Sequence, residues 1–308
     1  MSVTTIPSRE PSSRKQKRKS AQSSAINVKA LVGALPYFAF VSAFLIIPII
    51  ANVVTAFKDP TGQPSTETMA EAVSSTYRDA FLLTFNLSLL TTIVGGIFGL
   101  GIAWALTSRN SGPKWLSNLV NSFSALAAQS GGVQLAYAFI ALLGTNGLLT
   151  GVIRKVFPNF GEVFSITDFA GVALVYLYFQ VPLMTVLMLP SMSSLKKEWF
   201  DAASSLGATR MQFLRDVALP VLWPPIVGSL LLLFANAFAA YATAYALAGG
   251  SLNLIPIVIG FLISGNVLLN PGLAAALVTW MMIIILIAMG LRLVPVSYTH
   301  LRAHETGR

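Results

Sequence analysis

The chain has 308 residues, 55% of them hydrophobic and only 10% charged, with a mean hydropathy of +0.72 and a formal net charge of +9. A soluble domain carries roughly 25% charged residues, so this composition excludes a soluble enzyme, a disordered chain and a secreted disulfide scaffold. The lack of cysteine also removes thiol chemistry and cysteine-ligated metals. What remains is a polytopic membrane protein.

In chain order, residues 1–29 read as a disordered basic cytoplasmic arm, with Ser12–Ser24 polar and rich in Lys and Arg. Such an arm orients the first helix and touches anionic lipid heads. It carries no aromatic residue and leads into a membrane anchor, so no nucleic-acid partner is expected. The stretches 30–57, 80–108, 115–153, 169–195 and 217–291 then carry no charge. A membrane helix needs about 20 residues. The first, second and fourth stretches each hold one. The last holds two around a break at Gly249, Gly250, Asn253 and Pro256, and the third is ambiguous by length.

Orientation resolves the third stretch. With six spans, the basic arm, Arg109, Lys114, Lys196, Lys197, Arg210, Arg215 and Arg292 share one side. Lys58, Arg78, Arg154 and Lys155 fall on the other. The positive-inside rule then puts both termini in the cytoplasm, and a seventh helix would move four of the basic residues outside. The expected spans are 31–57, 82–106, 117–143, 170–192, 221–247 and 273–294, within a permease-like domain over 30–295. The first stretch is too long for a signal-peptide core and no small-residue cleavage site follows it, so it reads as uncleaved. Most of the net charge lies in the arm and the cytoplasmic loops, where topology explains it.

The tail 296–308 looks foreign. It holds both histidines, His300 and His304, at a spacing that would suit metal ligands on a helix. The string resembles a translated sequencing-adapter scar, so it is set aside and no metal site is expected.

No Asp, Glu, Lys or His lies inside the six expected spans, and Arg292, at the cytoplasmic end of the sixth, is the only Arg within them. Proton-driven carriers and membrane-embedded hydrolases need such groups, so the energy for any transport is expected from a partner. Neutral polar residues remain. Gln129, Ser130, Gly131, Gly132 and Gln134 cluster in the third span. Tyr176, Tyr178 and Gln180 lie in the fourth, and Asn236, Tyr241 and Tyr245 in the fifth. Each alone suits an interhelical hydrogen bond. As a group, Gln129, Ser130, Gln134, Tyr176, Gln180, Asn236, Tyr241 and Tyr245 are the candidate translocation path. Gly95 and Gly99, with Gly101 nearby, allow close helix packing in the second span.

The charged loop 193–220 holds two short helical patterns. In the first, Trp199, Ala202, Ala203 and Leu206 recur at helical spacing. Gly207 follows where a left-handed cap commonly ends a helix. A second amphipathic turn runs from Thr209 to Asp216, and Pro220 is placed to open the fifth span. The expected result is a helix–turn–helix elbow rigidly continuous with a membrane helix.

Asp201-Ala202-Ala203, Gly207 four residues on, and Leu219-Pro220 beyond resemble the Glu-Ala-Ala loop of permease subunits of binding-protein-dependent ABC importers. Asp201 replaces the usual Glu, keeping the charge and shortening the reach. The resemblance implies an all-α membrane protein with type I importer architecture in the bacterial cytoplasmic (inner) membrane. It also implies a coupling role for Asp201, Ala202, Ala203, Gly207, Leu219 and Pro220, docked on a cytoplasmic ABC ATPase dimer, with Arg210 and Arg215 facing acidic groups of the motor or solvent. A second permease subunit, as a heterodimer, and an extracytoplasmic solute-binding protein complete the implied assembly. The chain has no Gly-rich loop followed by Lys-Ser or Lys-Thr. ATP is therefore expected on the partner, with no cofactor on this chain and no catalytic residue. The segment Phe234–Ala248, with Gly249-Gly250 and Asn253–Pro256, resembles the spermidine and putrescine branch, whose relatives also serve ferric iron, sulfate and phosphonates. A polyamine is the first expectation. An uncoupled channel, a carrier or a membrane scaffold is the competing class, although no filter of ringed carbonyls or charges is visible.

Overall fold

The computed structural model describes residues 28–59, 61–107, 113–264 and 269–290. The arm before Val28, the loop 108–112 and everything beyond Gly290, including the tail 296–308, lie outside them. Among the described residues every regular element is helical, beside one isolated bridge pair, Lys58 and Pro64.

The first unit ends at Ala51. It contains α1 (Val28–Val41), a π-helical turn (Ser42–Ile46) and the start of α2 (Ile47–Ala56). The turn has a cause. Pro48 cannot donate into the helical ladder and its ring crowds the carbonyl four residues back. The wide turn ends two residues before it, with the Ile47 N–H donating to Ser42 five residues back. Phe38, Phe40, Phe44 and Ile47 are exposed.

The second unit begins at Asn52 and holds the rest. α3 (Glu67–Glu71) leads into the long α4 (Ser75–Thr107), then α5 (Lys114–Gln129), α6 (Val133–Leu143), α7 (Leu148–Val156) and α8 (Phe160–Val163). α9 (Phe169–Ser193), α10 (Lys197–Ser205) and α11 (Arg210–Phe213) follow. A second π-helical turn (Leu214–Ala218) joins α11 to α12 (Leu219–Phe238). The chain closes with α13 (Ala242–Ala248), α14 (Ile255–Ser264) and α15 (Pro271–Gly290).

Six helical stretches are long and apolar enough to cross a membrane: Gly33–Ala56, Ser75–Thr107, Val133–Val156, Phe169–Ser193, Arg210–Phe238 and Pro271–Gly290. The protein is a multi-pass membrane protein. Four of these match the expected spans closely. The expected third span, 117–143, is not one helix. It breaks at Ser130–Gly132, where Gly132 takes φ +88°, a conformation that glycine adopts freely and other residues resist. Phe123 in α5 and Phe139 in α6 both set ring edges against Tyr178, with centroids 6.4 and 5.5 Å away. A straight helix would hold them about 24 Å apart, so the two arms bend around that ring. The expected fifth span, 221–247, is broken as well, between Phe238 and Ala242.

The core is built on α4 and α9. A Cβ on Gly95 would lie 2.8 Å from that of Gln180, and one on Gly99 would lie 2.5 Å from that of Met184. The two helices therefore run the same way with their backbones in near contact, as small residues permit in a membrane. Gly101 takes no part, since nothing lies within 4 Å of its Cβ position. Buried hydroxyls along these helices mostly donate to the carbonyl four residues back, as Thr84 does to Ala80, Ser88 to Thr84 and Thr185 to Val181. No water is available there to serve a free hydroxyl, so the helix supplies the acceptor itself. Near the far end, the Asn52 amide donates to Ala275 O and Thr279 Oγ1 on α15, and Trp280 Nε1 donates to Met69 O.

Candidate functional site

Two places gather the residues expected to function. The first is the elbow between the fourth and fifth spans. α10 opens after Lys196 and ends at Ser205, and Gly207 then takes φ +81°. The Ala208 N–H donates to Ala203 O at 3.0 Å and the Gly207 N–H to Ser204 O at 3.0 Å. These two bonds form a Schellman cap, which requires a left-handed residue just past the helix end. The interval from Ala203 to Gly207 is thus a geometric need: Ala203 offers the carbonyl that the cap closes on. Thr209 then opens α11 with a capping box, its hydroxyl accepting from the Gln212 N–H while Gln212 Oε1 accepts from the Thr209 N–H at 2.7 Å. Phe200 and Phe213 meet edge to face at 5.2 Å, pinning one short helix against the other.

The expectation that the elbow is rigidly continuous with the fifth span agrees with a helical stretch running from Arg210 to Phe238. Pro220 stands in the first turn of α12, as expected, where its missing N–H does little harm. The helical path continues upstream through the π-helical turn over Leu214–Ala218, which ends two residues before Pro220 with the Leu219 N–H donating to Leu214 O. The device is the one seen before Pro48. Three large apolar side chains of the elbow are bare. Trp199 is 39% exposed, Met211 70% and Leu206 89%. Asp201 and Ala202 are exposed, as are Arg210 and Arg215. Lys197 stands 3.9 Å from Asp201 in an exposed pair of small energetic weight.

The second place is where the two broken spans meet. The Gly132 N–H donates to Thr243 Oγ1 at 2.7 Å, and that hydroxyl lies 3.3 Å from Gly132 O. Thr243 is 3% exposed. Of the polar residues expected in these two spans, Gln129, Ser130, Gln134, Asn236, Tyr241 and Tyr245 are exposed. Polar groups at membrane depth face protein or water rather than lipid. Tyr241 and Tyr245 stack at 5.3 Å, with Phe261 edge-on to Tyr245. Tyr241 also walls an open cleft of about 470 Å³ with Ala239, Gly260, Ser264 and Met281.

Tyr176 and Gln180 stand apart from this set. Both are buried. The Tyr176 hydroxyl donates to Ala240 O at 2.9 Å, and Gln180 Nε2 donates to Leu233 O at 3.0 Å, leaving Gln180 Oε1 without a partner. Their polar ends hold α9 to the fifth span instead of facing a path. Thr243 itself escaped the sequence reading. It is a single threonine in an alanine-rich segment, and its partner lies 111 positions away.

Residues 97–295 match the model of the binding-protein-dependent transport system inner membrane component. The chain belongs to this family. The matched segment runs from the middle of α4 past α15 and includes both the elbow and the junction. The sulfate transport system permease protein CysT of Salmonella typhimurium is 28% identical over 171 residues, 55% of this chain and 58% of that protein. CysT of Synechococcus elongatus is 29% identical over 185 residues, 59% of this chain and 61% of that one. The thiamine transport system permease protein ThiP of Haemophilus influenzae is 26% identical over 171 residues, 55% of this chain and 30% of that protein. The chain thus spans about three fifths of the length of the sulfate permeases it matches. Among solved structures, a bacterial alginate ABC transporter in complex with an alginate-bound periplasmic protein aligns with a TM-score of 0.66 at 17% identity, over 86% of this chain and 92% of that one. The methionine ABC transporter MetNI aligns with a TM-score of 0.51 at 16% identity, over 71% and 95%. At these identities the likeness is one of fold. The family is one of transport-system membrane components, not of enzymes.

Proposed function

We propose that this chain is the permease subunit of an ATP-driven importer in the bacterial inner membrane, taking a small solute from an extracytoplasmic binding protein. The observation that carries the reading is the elbow. It is a Schellman-capped helix pair fused to the fifth span, with Trp199, Leu206 and Met211 uncovered. A rigid lever with bare apolar side chains suits docking on a cytoplasmic ATPase, whose closure then moves the membrane helix directly. Asp201, Ala202, Ala203 and Gly207 shape the docking face, while Leu219 and Pro220 fix the point where the lever enters the membrane. ATP belongs to the partner, and this chain holds no cofactor. A second permease subunit completes the path.

For the solute, a small oxyanion of the sulfate class replaces the polyamine as the first reading. The sulfate permeases named above support it, and so does the chemistry of the path. No carboxylate lies inside the expected spans to hold a cation, and the Tyr241–Tyr245 stack covers one face of each ring that a cation would use. Uptake of labelled sulfate and of labelled spermidine by cells expressing the operon tests the choice. Saturable sulfate uptake that is lost in Gly207→Asp is expected; spermidine uptake with no sulfate uptake restores the polyamine.

A further inference from the structure

We infer that Thr243 is a positioning residue for the solute path: its hydroxyl fixes the break in the third span against the break in the fifth, and so sets Gln134, Tyr241 and Tyr245 around the solute. The inference rests on the permease reading and deepens it.

The membrane hydroxyls of this chain usually donate within their own helix, as Thr84, Ser88, Thr91, Thr185 and Thr279 do. Thr243 instead crosses to Gly132, accepting from its N–H and lying within bonding distance of its carbonyl. Gly132 is the residue that needs such a partner. It stands at the head of α6, where a backbone N–H has no acceptor within the helix, and its positive φ turns the chain at the break. An unserved N–H would be costly in a membrane interior.

The bond has a geometric consequence. Gln134 lies two residues beyond Gly132, and Tyr241 and Tyr245 lie two residues to either side of Thr243. All three are exposed. Fixing Gly132 to Thr243 therefore fixes the spacing between an amide on one helix and two phenols on another. These groups carry donors and no charge. Such a set can accept an oxyanion from the binding protein, orient it and release it, without the tight hold a buried lysine or arginine would exert. Thr243 touches the backbone of Gly132, not the solute, so its effect is on where the donors stand.

The chain contains no cysteine, so an introduced cysteine is the only thiol on this chain. Gln134→Cys and Tyr245→Cys, each in the full transporter in intact cells, are reacted with a membrane-impermeant sulfonate thiol reagent. This is done with Thr243 present, with Thr243→Val, which keeps the shape and removes the hydroxyl, and with Thr243→Ser, which restores it. Both cysteines are expected to react when Thr243 is present. Thr243→Val should change the rate at Gln134→Cys by about fivefold, and Thr243→Ser should restore it. With native Gln134 and Tyr245, Thr243→Val should raise the KM for sulfate uptake by about tenfold, the worth of one good hydrogen bond, with little change in maximal rate. Should Thr243→Val not reach the membrane, Thr243→Ala carries the same comparison.

Equal labelling rates with and without the hydroxyl, or a loss that Thr243→Ser does not restore, would overturn the role. If neither cysteine reacts in any background, the polar set does not face water and the positioning role falls with it. Co-purification of the ATPase through the elbow would still be observed in that case, so the two failures are told apart.

Discussion

At the scale of single residues, two glycines do opposite jobs. Nothing lies within 4 Å of the Cβ position on Gly207, so a side chain has room there, and the obstacle is the backbone at φ +81°. Gly207→Ala should therefore destabilise the elbow by about 1–2 kcal/mol. Membrane insertion should be intact and solute-stimulated ATPase activity of the assembled transporter reduced. Gly207→Asp should abolish uptake at unchanged membrane abundance, measured by immunoblot beside the uptake assay. Gly99 is limited by space. A Cβ there would lie 2.5 Å from Val181 O and 2.5 Å from Met184 Cβ, and a backbone carbonyl cannot swing aside as a side chain can. Gly99→Ala should cost about 1–3 kcal/mol through overpacking, seen as a lower melting temperature in detergent. Both glycines were visible in the sequence, Gly207 from its place after a helical pattern and Gly99 from its four-residue spacing to Gly95. Gly101 looked the same and packs against nothing, because a one-dimensional spacing does not say which side of a helix is covered.

At the scale of elements, local chemistry was legible and pairing across the fold was not. The capping box at Thr209 and the cap at Gly207 follow from residues within a turn of each other. Thr209→Ala removes the hydroxyl that accepts from the Gln212 N–H and should cost the elbow about 0.5–2 kcal/mol. Faster proteolysis between Gly207 and Phe213 would report it. The break at Gly131-Gly132 was visible as a helix-weakening cluster, yet 117–143 still read as one span because hydropathy is blind to backbone direction. Pro220 read correctly as the first turn of α12, while the π-helical turn upstream of it leaves no compositional mark. Tyr176 and Gln180 could not be told from the exposed polar residues, since only packing decides which of them is sealed.

The turn after the first span adds a pH dependence. The Asp59 carboxylate accepts from the Thr61 hydroxyl at 2.6 Å, the Thr61 N–H at 2.8 Å and the Gln63 N–H at 2.9 Å. The Thr61 side-chain bond, followed by the Gln63 backbone bond, holds its pKa below the ordinary 3.8. A depressed pKa means that the bonds contribute fully above the ordinary carboxylate value and are lost as pH falls through the folded one. The Gln63 amide, corrected for intrinsic exchange, should lose protection over that acid range and show no such change in Asp59→Asn.

At the scale of the whole molecule, the count of spans was readable from charge alone. Charges are costly in hydrocarbon and mark the ends of what crosses it. The solute was not readable in the same way, because the residues proposed to present it are neutral and their arrangement depends on two breaks meeting in space. The central claim is that the elbow couples this chain to a separate motor. It is tested most directly by purification from detergent, with the chain as bait and residues 197–213 either intact or replaced by a flexible linker of equal length. The account predicts that an ATP-hydrolysing subunit is recovered with the intact elbow and lost with the linker. Recovery of no ATPase with either version, or equal recovery with both, would contradict it.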